Sequence, residues 1–124
     1  MLGWRTESLP LFYTARGGPP VSARVETAGE AARLAEAHWR LGRSTALLLG
    51  RPPDDAIDDA EPLIERALAE ARSRGVSGQA VTPFVLAYLH EQSGGRTLEV
   101  NRRLVAGNAS LAGEVAGAYA RLSD

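Results

Sequence analysis

The chain has 124 residues, 44% of them hydrophobic and 23% charged, the balance of one small globular unit. A net charge of −1 leaves no basic footprint for nucleic acid or an anionic membrane, and the lack of cysteine removes disulfides and thiolate metal sites. All 14 basic residues are arginine, so neither a Schiff base nor a lysine general base can come from this sequence.

Residues 1–20 read as irregular with a short apolar start, and Gly17, Gly18, Pro19 and Pro20 mark a turn. Residues 21–25 alternate apolar and polar side chains over a strand's length. Thr27 and Glu30 have the spacing of a capping box, so a helix should begin there. It should run to Leu41, with Gly42 as its closing residue and Ala28, Ala31, Leu34, Ala35 and Trp39 as its buried stripe. His38 falls at the centre of that stripe and reads as a satisfied core histidine. Residues 45–49 form a continuous apolar run, which fits a buried strand. Strand, helix and strand in that order predict a βαβ unit with parallel strands.

The stretch Arg51-Pro52-Pro53-Asp54-Asp55 breaks the second strand. Asp58 and Asp59 can cap the next helix, and Pro62 is tolerated in its first turn. Leu63, Ile64, Ala67, Leu68 and Ala71 form the stripe of that helix, and Gly75 ends it. Together the four aspartates 54, 55, 58 and 59 lack the glycine and terminal glutamate of a calcium loop, so they read as caps and a solvated turn. Thr82 is placed to cap a third helix with Pro83 at its first position. That helix has no clean polar side and should be buried on several faces. Gly94 and Gly95 close it, and Thr97 can cap the last helix.

The last helix carries the candidate site. Asn101 and Asn108 are seven residues apart, which at about 100° per residue puts both in the arc of Val100, Leu104, Val105, Leu111, Ala112, Val115 and Leu122. Glu99, Arg103, Ser110, Glu114 and Arg121 fall on the other side. An amide on an apolar face needs a hydrogen-bond partner, either another part of the protein or a ligand. Gly107 weakens the helix, and with Ala109, Ala112, Gly113, Ala116 and Gly117 it gives a surface that a second element can approach closely. His90 has no metal-ligand spacing around it, and there is neither a zinc motif nor a Gly-rich phosphate loop.

Five segments resemble one family along the whole chain. They are GWRTESLPLFYTARGG near the start, RVETAGEAARLAEAHWRLG in the middle, and VTPF, SGGRTLEVN and GNASLA towards the end. In these the sequence is similar to the C-terminal part of the pseudouridine-5′-phosphate glycosidases. The resemblance implies reversible cleavage of a C–C glycosidic bond in a small nucleotide substrate, giving uracil and ribose 5-phosphate. It implies a lysine Schiff base, a carboxylate for proton transfer and manganese or another divalent metal, all from an N-terminal portion with no counterpart here. Asn101, in the Leu-Glu-x-Asn pattern, is then the substrate-binding candidate, and Asn108 a second one with packing as the alternative. Thr82 and Pro83 match the family's Thr-Pro-Phe. Glu7, Phe12 and Tyr13 belong to the matched opening segment and carry no assigned role. Arg51 stands where the family usually has asparagine before Pro-x-Pro.

The expected fold is therefore α/β, a βαβ-containing piece of a three-layer α/β/α sandwich with a helix-rich C-terminal half. The expected role is part of a substrate pocket, in a cytoplasmic homo-oligomer for which the resemblance implies a trimer. The N-terminal half of the enzyme is a further partner if the enzyme is split. The competing reading is a non-catalytic relic or assembly subunit. No nucleic acid or membrane partner is expected.

Overall fold

A computed structural model describes residues 1–11, 13–14, 17–55, 57 and 60–122. Its elements are β1 (Leu2–Trp4), β2 (Ala23–Val25), α1 (Ala28–Arg40), β3 (Leu49–Gly50), α2 (Ala60–Ser73), a 3-10 turn (Gly78–Ala80), α3 (Val81–Gln92) and α4 (Arg96–Ala120). The class is mixed α/β and rich in helix, as expected.

The sheet has the order β2-β1-β3, with both neighbours parallel to β1. Leu2 lies opposite both Ala23 and Leu49, and Trp4 opposite Val25. The βαβ unit is thus present, but its two strands are separated by a central strand that the sequence reading left as irregular. β1 has only three residues, too few for a pattern to register. Its interior Gly3 is required by a tight reversal: a Cβ there would stand 2.2 Å from the Thr6 carbonyl oxygen. Arg5 makes the reversal at φ 54, the one described non-glycine residue with positive φ. Backbone strain of this kind is kept where surrounding structure holds it. Here the Arg5 N–H donates to the Val25 carbonyl at 2.9 Å, and its Nε to the Glu26 carbonyl at 3.2 Å.

The expected buried strand over 45–49 is also corrected. Only Leu49 and Gly50 pair, and Thr45, Ala46 and Leu48 are exposed. Among the described residues β3 pairs with β1 alone, so most of the apolar run has no neighbour to bury against.

Helix α1 starts as expected. The Glu30 N–H donates to Thr27 Oγ1 at 3.2 Å, while the Glu30 carboxylate accepts from the Glu26 N–H at 2.7 Å, one residue before the position a capping box uses. Gly42, at φ 75, follows its end. Its stripe is narrower than expected: Ala31, Ala32 and Ala35 are buried, but Leu34 and Trp39 are 40% and 45% exposed. His38 is half-buried and satisfied by Thr45, whose carbonyl and hydroxyl oxygens both lie 3.1 Å from Nε2.

Helix α2 buries Ala67 and Ala71 and half-buries Leu63, Ile64 and Leu68, and Gly75 ends it at φ 69. The caps assigned to Asp58 and Asp59 lie outside the described residues. Two other caps are corrected. Thr82 sits inside the first turn of α3 and is exposed, because a 3-10 turn starts the helix at Val81. Thr97 is the second residue of α4, whose cap position is Gly95 at φ 88. Ser93 does the capping instead: its Oγ accepts from the Thr97 N–H at 3.2 Å. In α3 only Leu89 is fully buried, and Leu86 is 36% exposed. The core joins Tyr13, Ile57, Ala60, Leu89, Val100 and Leu104. Val105, placed in the apolar arc of α4, is 65% exposed.

Candidate functional site

In a parallel sheet, ligands bind beyond the carboxyl ends of the strands. Here those ends lead into Arg5, Glu26 and Arg51. The chain leaving β1, through Arg5, Thr6, Glu7 and Ser8, borders a polar cavity of about 650 Å³ together with Arg24 and Pro52. Arg24 Nε is held by the Glu26 carboxylate at 2.5 Å, which keeps its guanidinium charged more firmly than usual.

The start of α4 forms the second feature. Tyr13 is buried and hydrogen-bonds the Thr97 side chain, and Thr97 Oγ1 accepts from Ser93 Oγ at 3.2 Å. Burial raises the pKa of the Tyr13 phenol, and the bond to Thr97 opposes that in part. One turn further on, Asn101 is half-buried, and its amide makes no hydrogen bond to another described residue. Arg103 bonds Asp55 and also Glu99, the latter at 3.0 Å, so this arginine is a bridge rather than a free cation. Asp54 is likewise held by Arg51, so both described members of the aspartate run face arginines.

The third feature is a groove of about 570 Å³ between α1 and α4. Asn108 is exposed and lines it, beside Arg51, Trp39 and Tyr119. The two aromatic rings meet edge to face at 5.5 Å. Gly107 admits the Arg51 guanidinium against the helix backbone: a Cβ on that glycine would stand 2.7 Å from Nη1. At Gly107 itself the approaching group is the Arg51 side chain, while α1 is the second element that packs along α4. Asn101 does not line this groove. Seven residues of helix separate the two asparagines by about 10 Å, so they do not converge on one point.

Sequence reasoning passed over Arg51, Tyr13 and Trp39 as site residues. Gly107 was the available signal for Arg51, since a glycine inside a helix marks a close approach. Among the described residues no three His, Cys, Asp or Glu side chains gather where they could hold a metal ion. The described part of this chain therefore offers no donor set that fits manganese. Among the described residues no helix is long and apolar enough to cross a membrane.

Residues 1–118 match the family model described as indigoidine synthase A like protein. The chain belongs to that family. Among relatives of this indigoidine synthase A-like chain, the pseudouridine-5′-phosphate glycosidase of Rhodospirillum centenum is 42% identical over 125 residues, covering 98% of this chain and 39% of that protein. The protein of the same name in Escherichia coli is 37% identical, covering 99% of this chain and 41% of that protein. Of solved structures, the prealnumycin C-glycosynthase AlnA in complex with ribulose 5-phosphate matches with a TM-score of 0.86 at 35% identity, over 98% of this chain and 41% of that one. An indigoidine synthase A-like protein of Thermotoga maritima matches with a TM-score of 0.78 at 36% identity, over 93% of this chain and 39% of that one. The chain thus spans well under half the length of these relatives. The resemblance read from the sequence and the relatives' names agree.

Proposed function

We propose that this chain is a segment of a pseudouridine-5′-phosphate glycosidase and supplies part of its substrate pocket. The observation that carries the reading is the 42% identity to an enzyme of that name across 98% of this chain. The α/β fold and its likeness to a C-glycosynthase complexed with a sugar phosphate support it.

The division of labour follows from residue types. Ring opening through a lysine imine, which the resemblance implies, cannot occur on this chain, because it has no lysine. Its own contribution is binding. Asn101 offers an amide with no hydrogen-bond partner among the described residues, near the helix N-terminus whose N–H groups favour electron-rich atoms. That amide can donate to a carbonyl or hydroxyl oxygen of the substrate, or accept from a substrate N–H. Asn108 stands two turns further on and is the weaker candidate.

A chimera tests this. In the Rhodospirillum centenum enzyme, the matching 125-residue stretch is replaced by this chain, and uracil release from pseudouridine 5′-phosphate is followed. The expected outcome is turnover by the chimera and none by the purified 124-residue chain alone. A chimera that keeps the parent's size and melting behaviour yet releases no uracil would overturn the reading. Release by the isolated chain would overturn the division of labour.

A further inference from the structure

The loop that leaves β3 is held on α4 at two points. The first is Arg51. Its side chain is 15% exposed, and Asp54 takes Nη2 with both carboxylate oxygens at 2.6 Å. Nη1 is buried and has no hydrogen-bond partner, the one such atom among the buried side-chain nitrogens and oxygens of the described residues. A buried donor without an acceptor is costly, and a native structure that keeps one calls for an explanation. What the group faces is the helix. A Cβ on Gly107 would stand 2.7 Å from Nη1 and 2.8 Å from Cζ and Nη2. Such equal distances mean that α4 meets the face of the guanidinium, not its edge. The second point is Arg103, one turn earlier on α4, which bonds Asp55 as well as Glu99. These three side chains are about half exposed, and exposed pairs contribute little. The buried contact of Arg51 with Gly107 is therefore the one that sets where the loop lies.

Both sides of this contact carry pocket residues. Pro52, next to Arg51, lines the polar cavity at the carboxyl ends of the strands. Asn108 follows Gly107 directly, and Asn101 lies two residues before Arg103. A shift of Arg51 on Gly107 would move the cavity wall relative to both asparagines. Nη1 is closed off and Nη2 is held by Asp54, so the head group is not placed to take a substrate itself.

We infer that Arg51 is a positioning residue: it docks the β3–α2 loop on α4 at Gly107 and thereby fixes the spacing between the strand-end cavity and Asn101 and Asn108. The inference rests on the glycosidase reading for what the pocket does, and on geometry alone for the contact. A double-mutant cycle, by chemical denaturation of the 124-residue chain, tests the contact. Gly107→Ala should destabilise the parent, because the added methyl displaces the guanidinium. In the Arg51→Ala background the same change should stabilise, because alanine is the better helix former. The same variants in the chimeric enzyme test the positioning. Each single substitution should lower kcat/KM per folded molecule about tenfold, since a small misplacement of binding groups slows turnover sharply. The double variant should be no worse than the worse single one. If Arg51→Ala does not fold, Arg51→Met, which keeps the apolar stem, takes its place. A Gly107→Ala effect of the same sign in both backgrounds overturns the contact and the inference. Unchanged kcat/KM per folded molecule in the single variants of an active chimera reduces the contact to fold stability and also overturns the inference. A folded chimera that is inactive before any substitution overturns the glycosidase reading, and the positioning role with it.

Discussion

Asn101 shows how far a single residue can be read. Its place on a half-buried face was legible, because helix periodicity fixes which side chains share a side. Its open amide was not, since that depends on what other elements leave uncovered. An amide without a partner among the described residues makes a specific expectation. Asn101→Ala should leave the melting midpoint of the chain nearly unchanged. In the chimeric enzyme it should cost about 1–3 kcal/mol of transition-state stabilisation if a substrate group loses its partner. A large fall in the midpoint, with turnover per folded molecule unchanged, removes Asn101 from the pocket. Tyr13 is the opposite case: it lies in the matched opening segment without an assigned role, yet it is buried and tied to Thr97. Its phenol loses its proton at a higher pH when folded, so between pH about 10 and the folded value the unfolded chain is the more deprotonated. The stability it contributes is complete below pH about 10 and declines as pH rises through the folded value. Denaturant titrations of Tyr13→Phe should show a shallower alkaline decline than the parent. Identical slopes in the two proteins would assign the decline to other groups.

At the scale of elements, helices were easier to read than strands, for a physical reason. A helix of 13 residues such as α1 repeats its period several times and carries its own start signal in Thr27. The strands here have two or three residues, and their pairing depends on partners far along the chain. The central β1 is too short to show a pattern for that reason, and β3 is shorter than its apolar run because apolar composition alone does not bring burial. Cap signals failed where loops intervened: the 3-10 turn moved the start of α3 past Thr82, and Ser93 took the capping role given to Thr97. These differences can be measured as a pair. Thr27→Ala removes an observed acceptor at a helix start and should cost about 1 kcal/mol. Thr82→Ala removes an exposed hydroxyl with no capping bond and should cost less than about 0.5 kcal/mol. Chemical denaturation of both variants beside the parent checks the ordering. Equal losses, or a larger loss at Thr82, would mean that α3 begins where the sequence placed it.

At the scale of the molecule, surface that should be covered is not. Leu48 is 57% exposed beside a two-residue strand, Val105 is 65% exposed on α4, and Trp39 and Leu34 stand out from α1. Single exposed hydrophobic residues are ordinary, but these accompany a parallel sheet of three short strands, and such sheets are normally covered on both faces. An uncovered strand edge is itself a template for pairing with another chain. The chain also spans only 39% of the Rhodospirillum centenum relative, so in that protein much further polypeptide is available to cover equivalent surfaces. We therefore expect the chain to associate in solution when alone. Light scattering across a concentration series should show a mass that rises with concentration, and a dye sensitive to apolar surface should brighten on binding. In the chimeric enzyme, where the rest of the fold is restored, both signals should fall to those of the parent. A monodisperse monomer of 13.2 kDa with no dye response would show that the exposed side chains are tolerated without a partner, and the assembly reading would be abandoned.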